Sequence, residues 1–320
     1  MEEKDLMLML QQGVKDVFDS NRWKQYLAFC SKFHNYSHSN IMLILLQRPN
    51  ATRVAGFNTW RNTFGRTVKK GEKGIAILAP VPYKVEHENI DGAKTAETKL
   101  RFQTAYVFDV SQTSGRELPR PIDELGASVT GYASVLCLLK DISPFPVEIK
   151  EIEGSAKGFC NFAEQTICVN SGMSEAQTIK TLIHEIAHAG LHDRQRRDGK
   201  DKNAIDCRTA EVEAESIAFV VCNYLGIDSS EYTFGYVAAW SSGKETPELK
   251  HSLVTIQQHS QKMIEDLGRA HEKVRAVQNM QSIPEIPALT DEPCLTPHPN
   301  SATGDIRGKT RRSKQTSVER

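Results

Sequence analysis

The sequence has no C-x-x-C pair, no apolar run approaching a membrane span and no net charge, and each absence removes a class of protein. Its seven cysteines, Cys30, Cys137, Cys160, Cys168, Cys207, Cys222 and Cys294, are odd in number and mostly embedded in apolar segments. They read as reduced core thiols rather than as a disulfide framework or a zinc knuckle, and only Cys160 and Cys168 are spaced to face each other across a hairpin. The longest apolar stretch, Ile41–Leu46, falls short of both a spanning helix and a signal-peptide core, and the opening Met1-Glu-Glu-Lys-Asp5 is acidic where a signal peptide is basic. The expectation is a cytoplasmic chain with no membrane partner.

The zero net charge hides a split. Residues 1–120 carry 18 Lys+Arg against 12 Asp+Glu, whereas residues 121–280 carry 16 against 23. A basic first half and an acidic second half exclude an acidic DNA mimic and suggest that only the first half meets a polyanion.

What is present centres on His184-Glu185-Ile186-Ala187-His188. Residues four apart on a helix share a face, so His184 and His188 can bind one metal ion while Glu185 reaches a water beside it. This is the H-E-x-x-H arrangement of zinc hydrolases. Leu182, Ile183, Ile186, Ala187 and Leu191 give the same helix an apolar face. A metzincin is excluded, since Leu191 and Arg194 stand where that pattern needs glycine and histidine.

Downstream, Ala214, Ile217, Ala218, Val221 and Leu225 mark a second buried helix carrying Glu211 and Glu215 on one face, with Glu213 pointing elsewhere. Glu211 is expected as the third ligand, leaving an open fourth position, and Glu215 as the carboxylate that orients an imidazole N–H. Two histidines and one carboxylate also suit Fe²⁺ or Mn²⁺. Tyr232, Tyr236 and His192 are candidates for a second electrophile.

In the first half, Arg48 to Lys73 holds seven basic residues and one acid, interleaved with Phe57, Trp60 and Phe64. Cations neutralise phosphates and aromatic faces stack on unpaired bases, which points to single-stranded nucleic acid. Trp60 and Phe64, four apart, equally fit the buried face of a short helix.

H-E-x-x-H followed by Glu211-x-x-Ala214-Glu215 resembles the zinc metallopeptidases related to ImmA and IrrE, of the gluzincin type, and the C-terminal domain of the ArdC antirestriction proteins of conjugative plasmids. The order Asn40, Arg53 to Trp60, Lys69-Lys-Gly-Glu-Lys-Gly74, Gly74 to Pro80 and Phe108 to Gln112 is similar to the N-terminal domain of ArdC-type proteins, a domain associated with single-stranded DNA. The two resemblances together reach to about residue 240. They imply one Zn²⁺ per chain, held by His184, His188 and Glu211, with Glu185 as the catalytic base. They also imply DNA contacts among Asn40, Arg53, Trp60, Arg61, Arg66, Lys69, Lys70 and Lys73.

The organisation expected is α+β. A helical and β-hairpin DNA-binding domain covers 1–117, with strands at 75–83 and 100–108 joined by a polar stretch, and a linker at 118–122 holds Pro119 and Pro121. A minimal zincin-like domain follows at 123–245, with helix 122–139, three short strands and two ligand helices. A long helix covers 246–280, and a disordered, basic-ended tail covers 281–320. The function expected is a DNA-associated zinc metallopeptidase of a mobile element, with single-stranded DNA and a peptide as partners, acting in antirestriction. Two rivals remain at this stage: a DNA-coating protein whose zincin half is a scaffold, and a peptidase of the ImmA and IrrE kind that cleaves a repressor.

Overall fold

Three helices open the chain: α1 (Glu3–Asp16), α2 (Ser20–Lys32) and α3 (His38–Gln47). The structure is a computed structural model and describes residues 1–88, 94–118, 131–197, 206–228 and 232–281. The fold is α+β. Asp19 caps α2 by accepting from Asn21 N–H at 3.1 Å, and Ser37 caps α3 by accepting from Asn40 N–H at 3.4 Å. Leu6, Leu10 and Val14 bury one stripe of α1, and Gly13 lets it approach α3 closely. A Cβ at Gly13 would lie 2.7 Å from Leu46 Cδ1. Trp23, Tyr26 and Leu27 on α2 are fully buried, with Phe18 stacked on Trp23 at 5.1 Å.

β1 (Val54–Gly56) leads into the short helix α4 (Phe57–Asn62), and β2 (Arg66–Val68) precedes a long hairpin of β3 (Ile75–Glu88) and β4 (Lys94–Asp109). The antiparallel sheet order is β1-β4-β3, and β2 pairs separately with β5 (Thr113–Gly115). The hairpin is longer than the sequence suggests: pairing runs from Ile75↔Val107 to Glu88↔Lys94, so most of the expected polar connection at 84–99 is strand. β-branched Val85, Thr95 and Thr98 carry extended backbone even in polar company.

The outer edge of β3 is closed by side chains. Asn40 donates to Leu78 O and accepts from Leu78 N–H, both at 2.9 Å. Gln47, two turns further along α3, does the same at Ala76, at 2.8 and 2.9 Å. Pro80 and Pro82 continue this alternation, so their missing N–H groups fall on the side away from β4. That placement is where a strand tolerates proline.

In the second half, α5 (Tyr132–Ile142) precedes a small sheet of order β6-β8-β7, formed by β6 (Val147–Lys150), β7 (Gly158–Asn161) and β8 (Thr166–Asn170). β6 and β8 are parallel, whereas β7 and β8 are antiparallel. α6 (Glu175–Arg197) packs on this sheet, and α7 (Cys207–Tyr224) packs on α6. Ser174 accepts from Gln177 N–H at the start of α6, and Asp206 caps α7 by accepting from Thr209 N–H at 3.0 Å. α8 (Val237–Ser241) and the long α9 (Thr246–Gln281) complete the described chain.

Residues 1–278 form one compact unit in which the opening helices pack on the second half. α2 lies on α7, with Asn223 donating to Ser31 Oγ at 2.9 Å, and Gln257 on α9 donates to His34 O at 3.1 Å. The first part of the expected helix 122–139, most of the linker at 118–122, and residues 282–320 of the tail lie outside the described residues. The six described cysteines are free thiols, Cys160 and Cys168 among them. Among the described residues no helix is long and apolar enough to cross a membrane.

Candidate metal centre and nucleic-acid surface

The helical repeat of α6 sets His184 and His188 side by side, with Nε2 atoms 3.0 Å apart. α7 brings Glu211 across from them: Oε2 lies 3.5 Å from His184 Nε2 and Oε1 lies 3.4 Å from His188 Nε2. The three residues offer ligand atoms within 4.8 Å of one another. Donors on a tetrahedral ion bound at about 2.0–2.1 Å stand about 3.3 Å apart, so these spacings fit three corners of such a shell. Two imidazole nitrogens this close also repel through their lone pairs unless a proton or cation lies between them.

The surrounding charge favours a cation as well. Burial works against a charged His184, but Glu211, Glu215 and Glu185 outweigh it and push the imidazole up to about 10. The same two imidazoles hold the Glu211 carboxyl far below the usual carboxylate range. His184 Nδ1 faces Glu215 Oε2 at 3.3 Å, an ion-pair distance without the alignment of a straight hydrogen bond. Glu215 therefore stands behind the ligand set. Glu213, between the two, is fully buried on another side of α7.

Glu185 is buried, and burial first, then the Glu211 charge, pushes its carboxyl up to about 7 against the pull of His184 and the Cys160 N–H. The Cys160 N–H comes from β7, so the sheet edge holds the carboxylate beside the histidines. Gly158 makes that approach possible. A Cβ there would lie 2.6 Å from Thr181 Cγ2 and 3.0 Å from Cys168 O.

A cavity of about 440 Å³ opens on this cluster and is lined by His184, Glu185, Glu215, Lys180, Lys157 and Tyr232, among others. Tyr232 is pushed well up, chiefly by burial, and so remains a neutral phenol. Lys180, one turn before His184, lies 4.9 Å over the Tyr232 ring. Tyr236 is 43% exposed and does not line the cavity, and the His192 side chain lies outside the described set.

The sequence-expected DNA contacts divide. Asn40 is buried and its amide is used on Leu78. Trp60 is fully buried, donates its indole N–H to Phe108 O at 2.8 Å and packs on Phe64. Neither presents a face to a ligand, because each satisfies a backbone group of the sheet. Arg66 lies along β5, donating to Thr113 Oγ1 at 2.7 Å and to Gly115 O at 3.1 Å. Arg53 is half-buried, and its backbone N–H donates to Asp109 at 3.1 Å. Arg61, Lys69, Lys70 and Lys73 are exposed, with Lys69 donating to Ser111 O at 2.9 Å.

Residues 5–108 match the model of the N-terminal domain of the anti-restriction factor ArdC, and residues 146–226 match that of the IrrE N-terminal-like domain. Over these two stretches the chain is similar to ArdC and to IrrE. An uncharacterized protein of Bacillus anthracis, pXO2-81, is 28% identical over an alignment of 333 positions, which takes in 89% of the ArdC-like chain. That alignment covers 55% of the relative, so the chain spans about half its length. Among solved structures, the metal-free antirestriction protein ArdC of plasmid R388 aligns with a TM-score of 0.46 and 19% identity, over 74% of this chain and 86% of that one. Its Mn(II)-bound form gives 0.42 and 18%, over 73% and 84%.

Sequence reasoning missed three parts of the ArdC-like chain's sites: the β7 backbone that holds Glu185, Lys180 on the cavity wall, and the exposed aromatics of β4. Lys180 alone left a usable trace, since it lies four residues before His184 on the same helical face.

Proposed function

We propose that this ArdC-like chain is a cytoplasmic, DNA-associated zinc peptidase that binds single-stranded DNA and acts in protecting incoming DNA from restriction. The observation that carries the reading is the convergence of His184, His188 and Glu211 beside Glu185, with His184 and Glu185 also lining one cavity. One Zn²⁺ per chain would be held by those three residues. When bound, it supplies a Lewis acid and lowers the pKa of water toward neutrality.

The protein's own groups supply the rest. Glu185, buried beside the histidines, takes the proton of the attacking water and passes it to the leaving amine of a peptide. Glu215 fixes the ring of His184 by facing its Nδ1. Tyr232 is the phenol on the cavity wall, placed to donate to a developing oxyanion. In the first segment, residues 1–117, the exposed Arg61, Lys69, Lys70 and Lys73 neutralise phosphates, and Arg53 and Arg66 back them. Residues 123–245 carry the peptidase centre.

The test is metal content by elemental analysis, with hydrolysis of a mixed peptide library. Wild type should hold one zinc per chain, Glu211→Ala should lose it, and Glu175→Ala at the exposed start of α6 should keep it. Glu185→Gln should retain zinc and lose hydrolysis. A wild-type protein that neither contains nor takes up zinc overturns the metal assignment.

A further inference from the structure

The sheet β1-β4-β3 has a face with several exposed rings, on which Ala76 and Leu78 are buried and the Met1 ammonium donates to Tyr106 Oη at 3.3 Å. The pairing puts Leu100, Phe102, Thr104, Tyr106 and Phe108 of β4 on one side, since alternate residues of a strand share a face. Ala76, Pro80 and Pro82 of β3 stand opposite Tyr106, Phe102 and Leu100 on that same side. Of these, Phe102 is 50% exposed, Tyr106 49% and Leu100 64%. Phe57, at the end of β1, adds a ring 47% exposed and 6.3 Å from that of Phe108. Meanwhile Ile75, Ile77 and Val107 on the opposite face are buried. At the base of the hairpin the other face is packed away, while Phe102, Tyr106 and Leu100 keep much of their surface in solvent.

These rings have fixed backing. A Cβ at Gly74 would lie 2.9 Å from Tyr106 Cβ and 3.2 Å from Phe108 Cζ, so both side chains rest on bare backbone with their other sides outward. The border of the patch is cationic. Lys73 immediately precedes Gly74, Lys70 lies in the same turn, and Arg61 stands one helical turn from Phe57. The single acid of that turn, Glu72, accepts from Gln112 Nε2 at 2.9 Å.

We propose that Phe102, Tyr106 and Phe57 form a base-stacking platform for single-stranded DNA, with Lys70, Lys73 and Arg61 holding its phosphates. The proposal deepens the DNA-binding reading above and rests on it. Planar apolar faces with a rim of cations match an unpaired strand, whose bases expose their faces while its backbone carries charge. A duplex hides those faces, so it has only the rim to bind. Phe102 and Tyr106 stand about 13 Å apart along the strand, which spaces the contacts over several nucleotides.

The full chain would be titrated against fluorescein-labelled oligo(dT) at two salt concentrations. Phe102→Ala and Tyr106→Ala should each weaken binding about five- to a hundredfold without changing the salt slope, whereas Lys70→Ala with Lys73→Ala should flatten that slope. Tyr83→Ala removes an equally exposed ring from the opposite face of the same hairpin and should leave affinity unchanged. As a direct readout, Phe102→Trp should show quenched indole fluorescence on adding oligo(dT). A wild type that binds no single-stranded DNA overturns the DNA reading itself. Wild-type affinity in both alanine variants overturns the platform alone, as does a change in oligomeric state by light scattering with affinity intact, which would assign the face to a second copy.

Discussion

His184 Nδ1 lies 3.3 Å from Glu215 Oε2, so the ring of that histidine is aimed by a carboxylate one helical turn beyond Glu211. The two glutamates share one face of α7, and in the proposed site Glu211 would meet the metal while Glu215 would set a ligand. Replacing Glu215 with Ala should weaken zinc binding about ten- to a hundredfold with the fold intact. Competition against a chromogenic chelator measures this directly, and unchanged zinc affinity would remove Glu215 from the site.

Gly158 offers a second test, because it couples the sheet to the general base. Gly158→Ala drives a methyl group into Thr181 and the Cys168 carbonyl, and the strand that gives Glu185 its Cys160 N–H must retreat. Peptide hydrolysis should fall while zinc content stays at wild-type level. Loss of zinc in this variant would mean that β7 supports the ligands as well.

Trp60 is predicted to matter for stability and not for DNA. Trp60→Phe leaves the Phe108 carbonyl without its indole donor and should cost about 1–3 kcal/mol, read as a lower urea midpoint. Oligo(dT) affinity measured below the unfolding transition should be that of wild type.

Acid sensitivity should trace to His38. Burial, with the Lys250 ammonium nearby, pushes its imidazole down to about 4, so the folded chain holds it neutral where the unfolded chain takes up a proton near pH 6.5. The stability it contributes is whole above about 6.5 and is lost as pH falls toward 4, amounting to about 3 kcal/mol. Denaturation midpoints across that window should slope for wild type and flatten for His38→Gln.

The candidate metal cluster was legible because helical periodicity alone places His184 beside His188 and Glu211 beside Glu215, and few residue types can serve there. The proposed DNA surface was not. α4 is six residues long, too short for its period to say whether Phe57 or Trp60 faces inward. The choice is made by the Phe108 carbonyl, 48 residues away in sequence, which claims the indole. On β4, strand alternation puts Leu100, Phe102, Tyr106 and Phe108 on one side but does not say how far that side is exposed, which depends on what packs against the hairpin. Asn40 was expected as a DNA contact only through the resemblance to ArdC-type proteins, and a polar side chain at a helix start gives no sign that a strand edge will use it.

That strand edge has a consequence for how the protein lives in solution. Over 76–82, Gln47 and Asn40 occupy the outward N–H groups of Ala76 and Leu78, and Pro80 and Pro82 have none to offer. A neighbouring molecule trying to extend the sheet finds no donor to grip along this stretch. Sheet extension is therefore blocked along this stretch of β3, and substitutions such as Pro80→Val with Asn40→Ala would be expected to open it to pairing with a second molecule.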